Sequence, residues 1–258
     1  MTDPFRRPGR CSLSVIMPAF NEAETVAEAL AGLLAVDFAG RPLEVIVVES
    51  NSTDTTRDIV EGFRSDPRVH IIWEDRPRGK GHAVRTGLPH ARHDVIAIHD
   101  ADTEYESADL LRLLGPIEAG ETSLVLGSRH TPGTPVRTFT DSWWRAPVMN
   151  VAHRFFTTLF NTLYGSRLRD PETMFKVFRR EALADVRLRS DRFEFDYELL
   201  GTLLRRGCRP QELPVSYRSR DFTEGKKIRF FADPPRWAVA MIRFRFTPLA
   251  KPSERPWA

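Results

Sequence analysis

Short apolar runs alternate with amphipathic stretches through the first half of the chain. "CSLSVIMPAF" is almost unbroken in its apolar character and predicts a short buried strand stopped by Pro18. "NEAETVAEALAGLLAV" then places apolar residues at helical spacing, with Asn21 positioned as a cap. The cycle repeats. "LEVIVVES" is a β-branched run of the kind buried on both faces, and "STDTTRDIVEGFRS" offers Ser52, Thr53 or Asp54 to cap a second helix. "VHIIWED", "DVIAIHD" and "TSLVLGSR" read as further strands; "GKGHAVRTGLPHA" is a helix led by glycine and "SADLLRLLGPIEAG" an amphipathic one. This alternation predicts an α/β fold, a Rossmann-like, mostly parallel sheet with right-handed crossovers and helices on both faces.

Beyond Arg129 the alternation stops. "TPGTPVRTFTDSWWRAP" is turn-rich and reads as a loop reaching over something, while "VMNVAHRFFTTLFNTLYG" is a helix apolar around most of its circumference. "DPETMFKVFRREAL" reads as a turn or strand leading into a helix, "FEFDYELLGTLLRRG" as a helix, and "CRPQELPVSYRSR" as an edge strand holding Pro214. The division expected is a tail over 1–11, one domain over 12–230 with halves at 12–130 and 131–230, and an amphipathic helix with its tail over 231–258. In "RWAVAMIRFRF", Trp237, Ile242, Phe244 and Phe246 mix with Arg236, Arg243 and Arg245. That is the composition of an interfacial helix drawn to anionic lipid, and equally of a helix packed on the domain.

The chain has 258 residues, 41% hydrophobic and 28% charged, enough apolar material for one sizeable core. A net charge of +3 is too small to argue for nucleic acid. Two cysteines, Cys11 and Cys208, supply neither a disulfide framework nor a zinc cluster, so free thiols are expected. No stretch approaches the roughly 20 apolar residues of a membrane span, and the charged N-terminus has no apolar run behind it. A cytoplasmic protein, able to sit peripherally at the inner face of a membrane, is the expectation.

Chemistry concentrates where strands end. Asp100 and Asp102 close the fourth strand, at the sheet edge where open α/β folds bind ligands, and carboxylates one residue apart share reach to a divalent cation. Oxygen ligands favour Mg²⁺ or Mn²⁺ over zinc. Two solvated loop aspartates, or caps for the next helix, are the plainer alternative. Polar groups stand at other strand ends too: Asn21 with Glu22, Glu49 with Asn51, and Arg129. His99 reads as a packing residue. "GKGHAVRTGL" has neither P-loop nor dinucleotide-loop spacing.

Eight segments in order, "VIMPAFNEAETV", "EVIVVESNSTDTT", "GKGHAVRTGL", "DADTEY", "GSR", "DPETMFKVFRR", "FEFDYEL" and "VSYRSRDFTEGKKI", resemble the glycosyltransferases of family 2, with their A-type nucleotide-sugar fold. The branch most similar is that of polyprenyl-phosphate (dolichol-phosphate) sugar transferases. The resemblance implies an inverting, metal-dependent transferase with a nucleoside diphosphate sugar as donor. Pro18, Phe20 and Glu22 then line the nucleoside pocket, Asp100 and Asp102 bind the metal, and Glu104 either completes its coordination or starts a helix. Lys80 or Arg85 lies near the donor diphosphate, and Gly79 and Gly81 are close-approach turn residues. Where most relatives read D-D-G-S-x-D this chain has "ESNSTD"; Glu49 can accept a hydrogen bond from a base, but the choice of base does not carry over. Asn51 tolerates the left-handed backbone that glycine would adopt.

The second half is read as the acceptor site. Asp170 is a general base for a hydroxyl acceptor, an orienting group for a phosphate acceptor, or an ordinary turn residue before proline. Lys176 contacts phosphate or forms a buried ion pair, and Glu198 orients or pairs with an arginine. Arg129, Arg220, Lys226 and Lys227 form a basic set suited to an anionic headgroup. Polyprenyl phosphate is the acceptor expected. A hydroxyl acceptor, a sugar nucleotidyltransferase and a noncatalytic binding module are the rivals.

Overall fold

The computed structural model describes residues 2–130, 145–219 and 233–249. Seven strands form one sheet in the order β3-β2-β1-β4-β6-β5-β7. They are β1 Leu13–Ala19, β2 Leu43–Glu49, β3 Val69–Trp73, β4 Val95–Ile98, β5 Leu124–Ser128, β6 Lys176–Arg179 and β7 Gln211–Pro214. The helices are α1 Val26–Ala35, α2 Thr56–Glu61, α3 Lys80–Gly87, α4 Asp109–Glu118, α5 Arg145–Tyr164, α6 Phe195–Arg205 and α7 Asp233–Phe246. Successive side chains of a strand point to opposite faces, so the unbroken burial of Leu13 to Met17 and of Glu44 to Glu49 means both faces of the central strands are covered.

β1 pairs in parallel with β2 and β4, and β2 with β3, as the β-α alternation predicts. β6 departs from it. This strand inserts antiparallel between β4 and β5, while β7 returns parallel to β5 at the edge, where Pro214 is tolerated. The insertion has a functional consequence. β4 and β5 both run toward one sheet edge, and the antiparallel β6 must begin there, so the segment from Asp170 to Met174 joins the loops after β1, β2, β4 and β5.

Two sequence expectations change at this edge. β1 continues through Pro18 to Ala19, since Pro18 lies in parallel register with Val48. Asn21 does not cap α1; it is left-handed, φ 49°, donates its amide to Ser52 Oγ at 2.9 Å and accepts from the Thr53 amide at 2.8 Å. It laces the first two loops together instead. The segment read as an N-terminal tail is tied down: buried Asp3 accepts hydrogen bonds from Ser123 and from the Arg209 amide, and the Gly9 amide donates to the Glu118 carbonyl.

α7 packs against α5 and α6. At about 100° per residue, Trp237, Ala240 and Met241 share one stripe and Val239, Ile242 and Phe246 the opposite one. Met241 is wholly buried, and Phe156 meets the Trp237 ring edge-on at 5.5 Å. The packing reading therefore holds for one side of this helix, and the other side is exposed. Among the described residues no helix is long and apolar enough to cross a membrane.

Candidate active site

A cleft of about 570 Å³ opens at the edge where β1, β2 and β4 end. Pro18, Phe20 and Glu22 line it from the end of β1, and Asp100, Asp102 and Glu104 from the loop after β4. Lys80 enters from the start of α3. Its ammonium lies 2.7 Å from Asp100, and although burial works against the charge, Asp100, Asp196 and Asp102 raise its pKa above the ordinary value. Gly79 and Gly81 are indeed close-approach residues, but what approaches is protein. A Cβ on Gly79, whose φ is 116°, would stand 2.4 Å from the Asp191 carbonyl oxygen, and one on Gly81 would stand 2.5 Å from the Phe195 Cβ. Arg85 is committed to the same loop, 2.6 Å from Asp191, rather than to the cleft.

Glu49 does not reach the cleft. It is fully buried and its carboxylate accepts from the amides of Asn51 at 3.2 Å and Ser52 at 2.7 Å, which holds the left-handed turn at Asn51, φ 55°. Ser50, its neighbour, lines the cleft in its place and donates to Glu74 at 2.7 Å. His99 is a packing residue, buried against Phe175 with one ring nitrogen 2.9 Å from Ser107 Oγ.

Arg129 also lines the cleft, and Asp170, its partner, is buried. Nε and Nη2 of Arg129 donate to the two Asp170 oxygens at 2.8 and 2.6 Å, and its amide donates at 2.9 Å. Burial by itself raises the Asp170 pKa; the guanidinium overrides it and holds the carboxyl well below the usual range. Tyr217 stacks under the Arg129 guanidinium at 5.4 Å. Lys176 resolves into a buried ion pair, fully enclosed and 2.9 Å from Asp196, so it makes no contact with the cleft. Among the described residues Glu198 pairs with no arginine side chain; it accepts from the amides of Arg189 and Ser190. Arg220, Lys226 and Lys227 lie outside the described residues.

The donor set suits a hard cation in part. Asp100 and Asp102 both line the cleft, with the two Asp100 oxygens 2.7 and 2.8 Å from the Lys80 ammonium, but among the described residues no three acidic, histidine or cysteine side chains converge to hold an ion. Among the described residues Glu104 does not gather with Asp100 and Asp102 into a three-carboxylate cluster; its carboxylate accepts from the Tyr217 hydroxyl at 3.2 Å. Two carboxylates leave most of the shell of a Mg²⁺ or Mn²⁺ ion to phosphate oxygens and water, the usual division in such sites.

Several lining residues escaped the sequence reading. Glu172 sits in the quoted "DPETMF" run, and Tyr197 and Asp196 in "FEFDYEL", yet neither periodicity nor spacing distinguishes them from structural residues. Arg78 and Arg192 add positive charge, and Trp237 of α7 closes one side.

The model of the glycosyl transferase family 2 matches residues 14–187. Glycosyltransferase AglJ of Haloferax volcanii is 28% identical over 213 residues, which is 81% of this chain and 64% of that relative. The chain spans under two thirds of the length of the first curated relatives it matches. The polyprenol monophosphomannose synthase of Mycolicibacterium smegmatis is 28% identical over 229 residues, 85% of this chain and 82% of its own. Among solved structures, glucosyl-3-phosphoglycerate synthase from Mycobacterium tuberculosis, in complex with Mn²⁺, UDP and glucosyl-3-phosphoglycerate, superposes with a TM-score of 0.66. It is 20% identical and the match covers 95% of this chain and 87% of that one, a likeness of fold.

Proposed function

The chain belongs to glycosyltransferase family 2, and on that premise we propose that it transfers a sugar, with inversion, from a nucleoside diphosphate sugar to a polyprenyl phosphate at a lipid surface. The observation that carries this reading is the composition of one cleft, lined together by the carboxylate residues Asp100 and Asp102 and by Arg129. Pro18, Phe20 and Glu22 hold the nucleoside. Asp100 and Asp102 hold a divalent ion, which when bound stabilises the charge developing on the departing diphosphate. Lys80 adds positive charge at the same end.

Arg129 receives the acceptor phosphate, oriented by Asp170. An acceptor oxygen attacks the anomeric carbon, and the bond from that carbon to the donor phosphate breaks with its electron pair leaving on the nucleoside diphosphate. No proton has to be removed, because the nucleophile is already charged. That fits a carboxyl at Asp170 held below its usual pKa, which is a weak base.

The lipid surface is supported by exposed side chains. Val148, Val151 and Phe155 of α5 and Val239, Ile242 and Phe246 of α7 are the exposed large apolar residues among those described. The exposed Arg154 and Arg243 accompany them, a combination suited to anionic headgroups. Homologues named for polyprenol and dolichyl phosphate point to the same class of acceptor.

The test is release of nucleoside diphosphate from UDP- and GDP-sugars, with Mn²⁺ and polyprenyl phosphate in vesicles, by wild type and by Asp102→Ala. Lipid-dependent release that Asp102→Ala abolishes, with its melting temperature unchanged, is expected. Release of pyrophosphate would instead identify a nucleotidyltransferase, and transfer to a soluble alcohol without lipid would identify a hydroxyl acceptor. Wild-type turnover by a folded Asp102→Ala protein would overturn the assignment of the carboxylates.

A further inference from the structure

Lys80 and Asp100 form an ion pair inside the cleft, at a carboxylate that the scheme above gives to a divalent ion. The Lys80 ammonium sits astride both Asp100 oxygens, at 2.7 and 2.8 Å, and the Met174 sulfur accepts from it as well. A thioether is a weak acceptor, so the carboxylate is the partner that counts. Lys176, the other lysine nearby, is wholly enclosed in its pair with Asp196. The side chains of Lys80 and Asp100 are instead 14% and 20% exposed, and both residues line the cleft. An ammonium on a flexible four-carbon stem can leave such a position by turning about its own bonds, without moving α3.

Separating a largely enclosed pair strands both charges unless each gains a new partner at once. A divalent ion arriving alone would re-pair the carboxylate, but leave the ammonium with only a sulfur and beside a second, stronger cation. A diphosphate arriving alone would re-pair the ammonium and leave the carboxylate facing an anion. Together they re-pair both charges, and the phosphate oxygens fill positions on the ion that protein carboxylates do not. We propose that Lys80 is a displaceable counter-ion of Asp100, a positioning residue that keeps a divalent ion from binding alone and makes the ion and a nucleoside diphosphate bind as a pair. This rests on the reading of the cleft as a nucleotide-sugar site. Such coupling is reciprocal: the factor by which the nucleotide tightens the ion is the factor by which the ion tightens the nucleotide.

The free Mn²⁺ signal in electron paramagnetic resonance reads the ion's affinity with no turnover involved. Mn²⁺ is titrated into wild type, Lys80→Met, Lys80→Gln and Arg78→Gln, alone and with UDP or GDP, against protein-free blanks because the nucleotides hold Mn²⁺ on their own. Arg78 lines the same cleft and controls for its overall charge. Wild type is expected to bind Mn²⁺ about 10-fold or more weakly alone than with the nucleotide it accepts, and Lys80→Met to bind Mn²⁺ alone on the order of 10-fold more tightly than wild type does. The nucleotide then tightens the ion by a smaller factor in Lys80→Met, while Arg78→Gln keeps the wild-type affinity for Mn²⁺ alone within about twofold. Melting temperatures check folding, and Lys80→Gln, which keeps a hydrogen-bond donor near Asp100, stands in if Lys80→Met is unfolded. Equal affinity of wild type for Mn²⁺ with and without nucleotide would overturn the inference before any variant is made. So would an unchanged Mn²⁺ affinity in the Lys80 variants, or a gain in Arg78→Gln as large as theirs, which would assign the effect to the net charge of the cleft. Failure of wild type to bind either nucleotide with Mn²⁺ is a different result, and overturns the nucleotide-sugar reading together with the inference that depends on it.

Discussion

Arg129 and Asp170 illustrate how much a single buried pair constrains. Both are enclosed, and the guanidinium is satisfied largely by that one carboxylate. Taking away the charge of Asp170 leaves a buried cation without its partner, a change that costs about 3–5 kcal/mol. Asp170→Asn is therefore expected to lower the denaturation midpoint markedly, and a urea titration shows it. On the proposed scheme, in which the carboxylate orients Arg129 and removes no proton, transfer at a temperature where the variant is still folded is expected to be reduced rather than abolished. Complete loss in a folded variant would restore the general-base role. Linkage agrees with a structural part: the Asp170 pKa is depressed, so its stabilisation is present above the usual carboxylate pKa and is lost only when pH falls through the much lower folded value. Near neutral pH its contribution is constant.

Helices show the same economy one level up. The first turn of α3 approaches the loop around Ser190 so closely that a Cβ on Gly81 would stand 2.7 Å from the Ser190 carbonyl oxygen as well as against Phe195. Gly81→Ala is expected to cost about 1–3 kcal/mol through overpacking, read as a lower melting temperature. α7 carries two apolar stripes, one buried and one exposed. Met241 is wholly buried, so Met241→Ala is expected to cost about 2–5 kcal/mol. Ile242→Glu with Phe246→Glu touches the exposed stripe and is expected to leave the melting temperature within a degree or two. Sedimentation with anionic vesicles should then lose the double variant and retain Met241→Ala. Equal sedimentation of all three, or a change of oligomeric state in the double variant, would reassign that stripe to another partner.

For the molecule as a whole, acid is the informative perturbation. Burial lowers the pKa of His99, and of His130, where the charge of Arg129 acts in the same direction. The unfolded chain takes up these protons near the ordinary value of 6.5, while the folded protein resists them until lower pH. Because the unfolded state then binds more protons, stability is lost as pH falls through that value. Melting temperature is expected to decline between roughly pH 7.5 and pH 5.5, and a flat or rising profile would contradict the burial of these rings.

The apolar runs determined by themselves that β1 to β5 alternate with helices, because a β-branched run between amphipathic segments has few other ways to hide both of its faces. The strand-end carboxylates were legible for the same reason: a buried strand closing on Asp100 and Asp102 leaves them nowhere but the edge. Only the tertiary structure decided the fate of Glu49, Lys176, Arg85 and Asn21. Each has the right chemistry for a site, and each is spent on an amide, an ion pair or a neighbouring loop. It also decided that β6 runs antiparallel and so carries Glu172 to the cleft and Asp170 to its buried place beside Arg129. The direction of a strand and the partner of a charge depend on residues far away in the chain. A local pattern encodes which surfaces must be buried, and not which of them meet.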